Sequence, residues 1–282
     1  MIPAAFDYQA PSTVEEALHL LDSSEDAKVL AGGQSLMPVL RMRLAAPDTL
    51  VDLSGIAELR GVRDAGDAIV VGAMTPHEAV MSDPLIAEHA TLLAKATAKV
   101  ADPQTRRRGT FGGSLAHADP ASDLPTCALA LGAEFEIAGS GGRRTVQAAD
   151  FFEDYFTTAI GEDEILTEVR VPKHTGWGAH YEKFVRTAQQ WSIVAVAATV
   201  KLSGGTIAEA GVALTNMGST PVRSTSVEQA LIGVAPVDEA VRDAVAGIAE
   251  GTHPPTDING DDNYRRHLAT VLARRAVLAA AS

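Results

Sequence analysis

Two short segments of this 282-residue chain each place a glycine pair and a hydroxyl just before a leucine. They are Ala31-Gly32-Gly33-Gln34-Ser35-Leu36 and Phe111-Gly112-Gly113-Ser114-Leu115. Paired glycines lack Cβ atoms, reach positive φ, and let successive backbone N–H groups turn toward one anion. Where such a loop enters a helix, the positive end of the helix dipole favours phosphate. Two such loops in one fold could hold both phosphates of a dinucleotide. Taken singly, either pair reads more simply as a tight turn. Neither segment fits G-x-G-x-x-G or G-x-x-x-x-G-K-[ST], so Rossmann and P-loop assignments are disfavoured. The second segment runs into His117, Asp119, Ser122 and Asp123, closed by Pro120 and Pro125. Polar side chains between buried elements need partners, which a ribose or ring edge would supply.

Other reactive residue types carry less. His117 and Asp119 have a spacing compatible with metal ligation, but no further His or Cys lies near, and the metal reading is rejected. Cys127 lies in the apolar run Leu124 to Leu131 and reads as a small buried hydrophobe. Arg106-Arg107-Arg108 reads as solvated, or as paired to carboxylates at a subunit contact. Glu15-Glu16 and Glu162-Asp163-Glu164 read as exposed charges. Trp191, ahead of an apolar strand, reads on residue type alone as a core or lobe-interface aromatic. There is no G-x-S-x-G elbow and no H-E-x-x-H, and no side chain is assigned as acid, base, nucleophile or metal ligand.

The elements that must position these residues follow from periodicity. Ser12 or Thr13 caps a helix answered by Glu15 or Glu16, with Val14, Ala17, Leu18 and Leu21 as its apolar stripe. A strand at Lys28–Leu30 enters the first glycine pair, and Leu36 onward is helical. Strands are expected at 49–53 and 68–71, helices at 78–81 and 84–100, and the α–β alternation continues to about Pro172. Strands at 180–185, 192–202 and 206–215 follow, the last two joined by Ser203-Gly204-Gly205, and helices begin near Val227. The fold class is therefore α+β: a first unit over 1–175, with lobes of about 1–55 and 56–175, and a C-terminal unit over 176–282. That second unit combines a three-stranded antiparallel sheet with helices.

Composition agrees. Hydrophobic residues make up 46% and charged residues 21%, as in ordinary globular chains. A net charge of -13 disfavours nucleic acid and anionic membrane as partners. A single cysteine excludes an internal disulfide and an iron–sulfur cluster built from this chain alone. With no basic leader and no apolar run near the ~20 residues of a membrane span, the chain reads as soluble and cytoplasmic. Any association with the inner face of the membrane would be made through partners.

At Ala31–Leu36 and at Thr110-Phe111-Gly112-Gly113-Ser114-Leu115-Ala116-His117-Ala118-Asp119-Pro120 the sequence resembles the FAD-binding medium subunits of molybdenum hydroxylases, of the aerobic carbon monoxide dehydrogenase type. The resemblance covers essentially the whole chain. It implies a two-lobed FAD-binding domain of the vanillyl-alcohol-oxidase-like kind followed by the family's flavoprotein C-terminal domain. It implies that Gly32 to Ser35 and Gly112 to Ser114 hold the pyrophosphate through amides and hydroxyls, and that Thr110 and Asp123 contact FAD. Leu166 matches an apolar residue near the adenine or flavin, and Lys183 a lysine near the cofactor. Trp191 stands where the family commonly has Tyr beside the isoalloxazine, which keeps a stacking surface and removes a hydroxyl. Arg107 stands where the family often has Asn.

The function implied is collection of electrons on FAD and delivery to an external acceptor such as a quinone. The molybdenum cofactor would sit on a large subunit and the [2Fe-2S] clusters on a small one, in a dimer of heterotrimers. Three rivals are carried: the medium subunit of an aldehyde, purine or N-heterocycle hydroxylase; a self-contained flavoenzyme such as a cell-wall precursor reductase; and a non-catalytic scaffold. The second would need its own proton donor and substrate arginines in the C-terminal lobe, and no convincing set is present.

Overall fold

The computed structural model describes residues 2–282. The first helix, Val14–Asp22, starts as its cap predicts. Thr13 Oγ1 accepts the Glu16 amide at 3.1 Å, and Glu16 Oε2 in return accepts the Ser12 amide and hydroxyl, each at 2.8 Å. Its buried face is Val14, Ala17 and Leu21. Strands Asp7–Gln9, Thr49–Asp52 and Ala27–Leu30 form a parallel sheet in that order, which requires the helical crossovers between them.

From residue 62 to 172 the architecture departs from the expected α–β alternation. Val62–Asp64, Ala68–Gly72, Ile165–Pro172, Glu134–Gly139 and Gly142–Gln147 form one five-stranded sheet in that spatial order, antiparallel throughout. The edge strand Gly142–Gln147 is almost wholly solvent-exposed, so it carries no apolar alternation by which it could be read. Helices cover one face of the sheet, where Ile69, Val71, Phe135, Ile137 and Val169 join Leu92, Leu93, Phe111 and Leu124 in one core. The single helix expected over 84–100 is two, Pro84–His89 and Thr91–Thr97, broken at Ala90, where φ/ψ is -141°/48°. Glu164, expected as an exposed charge, is partly buried and receives Arg144 at 2.6 Å and the Gly161 amide at 2.7 Å. The Arg144 guanidinium holds its carboxyl below the usual range.

The C-terminal sheet has four strands where three were expected: Gly178–Phe184, Val194–Ser203, Thr206–Thr215 and the two-residue Val222–Arg223. Its central strand is apolar on both faces for a reason. Ala195 and Ala197, with Tyr181 and Ala213, join the core of the first unit, while Val194, Val196, Ala198 and Val200 face Leu268, Leu272 and Val277 of the helix Asp262–Ala280. The sheet is thus shared between two cores. The stretch 173–178 has linker composition but is held down: Lys173 Nζ lies 2.7 Å from Asp64, and the His174 amide donates to His89 O at 2.7 Å. Among the described residues no helix is long and apolar enough to cross a membrane.

Candidate cofactor site

The two glycine segments meet. A Cβ on Gly32 would lie 2.3 Å from the carbonyl oxygen of Arg108, and one on Gly113 would lie 3.2 Å from the Ala31 Cβ. Strand Ala27–Leu30 delivers the first segment, and the turn after helix Pro103–Arg108 delivers the second. Gly33 has φ +71°, which swings the chain into helix Leu36–Arg41. Among the described residues the amides of Gly32, Gly33, Gln34, Ser35 and Leu36 have no acceptor in the chain, while the carbonyls of Gly33 and Ser35 are engaged by Met37 and Val39. Gln34 folds back, its Nε2 donating to Gly32 O at 3.0 Å. A run of unpaired N–H groups on a partly exposed turn is a cradle for an anion.

The second segment is built differently. Gly112-Gly113 lies in the first turn of helix Phe111–His117, capped by Thr110, whose Oγ1 accepts the Gly113 amide at 3.2 Å. Phe111 N donates to Thr75 O at 2.9 Å, Gly112 N to Ala73 O at 2.8 Å and Ser114 N to Thr110 O at 3.1 Å. Free amides are therefore a property of the first segment, and those of the second already have partners. Gly112 answers a packing demand, because a Cβ there would sit 2.5 Å from that of Ala73. A shallow recess beside the junction is lined by Ala31, Ser54, Arg60, Met74, Pro76, Arg107, Arg108 and Thr110, a basic mouth on an acidic protein. Arg107 is paired with Glu78 at 3.1 Å, and Arg106 donates to Val100 O at 2.7 Å.

Beyond the helix, Ala118 takes a left-handed conformation and the polar run follows. His117 is half-buried against Phe156, ring centroids 5.2 Å apart, and burial lowers its pKa against the opposing pull of Asp119. Asp119 Oδ1 accepts the Ala121 amide at 2.8 Å. Phe156 and Tyr155 form the exposed tip between strands Phe152–Asp154 and Thr157–Thr158, whereas Phe151 and Phe152 of the same aromatic run are buried. His77 is not legible in the sequence: it is 4% exposed behind Gly109, its Nδ1 has no partner, and burial lowers its pKa to about 4.

Asp123 and Lys183 are brought together, but inside the protein. Asp123 is 5% exposed at the start of helix Asp123–Ala130. Its Oδ2 accepts from Lys183 Nζ at 2.7 Å, and its Oδ1 from Tyr181 at 2.8 Å and Ser192 at 2.9 Å. Burial pushes the carboxyl up, and the Lys183 ammonium pulls it back. Tyr181 in turn meets Thr215 at 3.1 Å, whose hydroxyl donates to Thr126 at 2.8 Å. Leu166 is 5% exposed within the main core, and Cys127 is fully buried, its thiol pushed well up by desolvation. Trp191 contradicts the core reading: it is 56% exposed, standing outside the Asp123 network on the residue just before Ser192.

Residues 4–174 match the FAD binding domain in molybdopterin dehydrogenase, and residues 179–280 the CO dehydrogenase flavoprotein C-terminal domain. The chain belongs to this family of FAD-binding oxidoreductase subunits. It is 40% identical to the carbon monoxide dehydrogenase medium chain of Hydrogenophaga pseudoflava, over 99% of this chain and 98% of that one. It is 34% identical to the glyceraldehyde dehydrogenase medium chain of Sulfolobus acidocaldarius, over 98% of each. A solved carbon monoxide dehydrogenase from Hydrogenophaga pseudoflava, lacking the Mo-pyranopterin moiety of its cofactor, superposes with a TM-score of 0.96 at 41% identity, covering 99% of this chain and 98% of that one.

Proposed function

We propose that this chain is the electron-transferring medium subunit of a molybdenum hydroxylase complex of the carbon monoxide dehydrogenase type. The observation that carries the reading is the set of unpaired amides from Gly32 to Leu36, packed against a second glycine segment. These amides and the Ser35 hydroxyl hold the FAD pyrophosphate. Ala31 begins the same segment, and Thr110, Gly112, Gly113 and Ser114 form the facing wall, which comes this close because Gly112 and Gly113 lack side chains. His117, whose pKa burial lowers, and Asp119 offer donors and acceptors to its polar portions, and Trp191 offers an exposed aromatic face. Leu166, Asp123 and Lys183 support the site from behind.

FAD supplies the redox chemistry when bound, drawing on [2Fe-2S] clusters of a small subunit and serving an external acceptor such as a quinone. The protein supplies binding, orientation and exclusion of water. The domains are 1–175 and 176–282, the molybdenum cofactor sits on a large subunit, and the assembly is a dimer of heterotrimers in the cytoplasm. A second reading, the medium subunit of an aldehyde-oxidising complex, is favoured by the comparable full-length likeness to the glyceraldehyde dehydrogenase chain. The two differ in the large subunit. Co-expression with the neighbouring large and small chains, followed by denaturation and identification of released flavin, tests the proposal. One FAD per medium chain is expected. A complete complex without flavin would overturn it and leave the glycine pairs as turns.

A further inference from the structure

We infer that the exposed turn Arg41 to Ala46, together with Ile2, is a surface on which a partner subunit seats, and that the partner meets it with an apolar pocket rimmed by carboxylates. The inference rests on the reading of this chain as one subunit of a complex. All six residues from Arg41 to Ala46 are exposed, between the buried Leu40 and Pro47. Leu44 is 73% exposed, Met42 52% and Ile2 81%. Arg43 joins the two stretches, its Nε donating to Ile2 O at 3.4 Å. A lone leucine on a surface needs no explanation, but three large apolar side chains on two touching stretches mark a contact site.

The turn has a fixed shape. The amides of Met42, Arg43 and Leu44 donate to Pro38 O, Leu40 O and Val39 O at 3.0, 3.0 and 3.1 Å. Arg43 takes φ +56°, a left-handed conformation that costs a long side chain energy and is kept at sites under a constraint. Neither guanidinium is spent within the chain. Asp48 follows the turn and draws Asp7 and Asp26 to it: the Asp7 amide donates to Asp48 O at 2.7 Å and the Asp48 amide to Asp26 O at 3.0 Å. Among the described residues, none of these carboxylates or any other pairs with Arg41 or Arg43. Two unspent cations on a chain of net charge -13 call for acidic groups from outside. Arginine and methionine are enriched where proteins meet, and lysine, glutamate and aspartate are depleted. The turn holds two arginines and a methionine, with no lysine and no carboxylate. A bilayer fits less well, because anionic lipid repels the acidic body of the chain. The turn continues from the last residue of helix Leu36–Arg41, so a seated partner stands about 9 Å along that axis from the amide cradle.

The test uses the complex co-expressed with the neighbouring large and small chains, with the photocrosslinker p-benzoylphenylalanine at position 44 of this chain. Irradiation should join this chain to a different subunit, at a peptide carrying Asp or Glu beside apolar residues. A crosslink only to a second copy of this chain, or none at all, overturns the inference. Affinity supplies the second arm. Leu44→Asp should weaken association of this chain with the rest of the complex about tenfold or more, the scale of a lost interface anchor, whereas Leu44→Met keeps parental affinity. Arg41→Gln/Arg43→Gln should weaken it too and flatten its dependence on salt. Every changed position is exposed, so the thermal midpoint of the isolated chain should stay parental. Should Leu44→Asp fail to fold, the crosslink and the arginine pair decide. Parental affinity in the folded variants overturns the inference, as does an uncrosslinked complex that binds phosphatidylglycerol vesicles through Arg41 and Arg43. A chain that purifies alone from the co-expression overturns the subunit reading and this inference together, whereas a complex that forms beside unaffected variants overturns this inference only.

Discussion

Gly32 lies against the carbonyl of Arg108 so closely that an added Cβ would stand 2.3 Å from its oxygen and 2.6 Å from the Cα of Gly109. Both obstacles are backbone, so no rotamer change relieves them. The two glycine segments share a surface because neither side presents a side chain there. Gly32→Ala must push the segments apart, costing about 1–3 kcal/mol as overpacking does. The larger effect falls on the cradle: FAD retained by the purified complex should drop sharply. Retention of parental FAD by a folded Gly32→Ala complex would show that the contact is unrelated to cofactor binding.

Lys183 and Asp123 form an ion pair whose side chains are 7% and 5% exposed. Lys183→Met leaves the carboxylate buried with hydroxyl donors only, a loss of about 3–5 kcal/mol. The double variant Asp123→Asn/Lys183→Met removes the stranded charge and should recover a large part of that loss. Denaturant unfolding of parent, single and double variants closes the cycle. Simple additivity of the two single losses would mean the residues do not act as a pair.

Burial holds the pKa of His77 at about 4 against an ordinary 6.5, with Arg106 adding repulsion. The folded state keeps the imidazole neutral where the unfolded state protonates it, so the unfolded state binds more protons between those values. Stability should therefore fall as pH drops from about 6.5 to about 4, by roughly 3 kcal/mol from this residue. Because carboxylates also lose stabilising interactions on the acid side, the comparison is between slopes. His77→Leu should flatten unfolding free energy against pH over this window, and an unchanged slope would remove His77 as the cause.

Trp191 is 56% exposed, so Trp191→Ala should leave the stability of the flavin-free protein within about 0.5 kcal/mol. On the proposed placement of Trp191 beside the flavin, the visible spectrum of the flavin-loaded complex should shift. A large fall in melting temperature without a spectral change would return Trp191 to a packing role.

Gly178 opens the strand Gly178–Phe184, and a Cβ there would lie 1.6 Å from the carbonyl of Ala280 at the end of the last helix. Gly178→Ala should displace that helix end and cost about 1–3 kcal/mol, read as a lower thermal midpoint. FAD per folded chain should stay constant, since the contact lies at the opposite end of that strand from Lys183 and of that helix from Arg265.

The α+β class, the capped first helix, the apolar C-terminal strands and both glycine segments are legible in the order of the residues. Each is a local signal: a cap bonds within a turn, a buried strand needs an unbroken apolar run, and a glycine pair shows in the letters. The residue order also carried the family resemblance, through the motif Thr110 to Pro120 and its partner at Ala31 to Leu36. The antiparallel five-stranded sheet was illegible because its edge strand Gly142–Gln147 faces solvent nearly all round. Which glycine pair has free amides was equally hidden, since the acceptors for Phe111 and Gly112 are Thr75 and Ala73, far off in sequence. Only tertiary structure placed Asp123 and Lys183 in one buried network and left Trp191 in solvent one residue away. Burial and hydrogen-bond satisfaction are properties of neighbours in space, and residue types along the chain do not specify them.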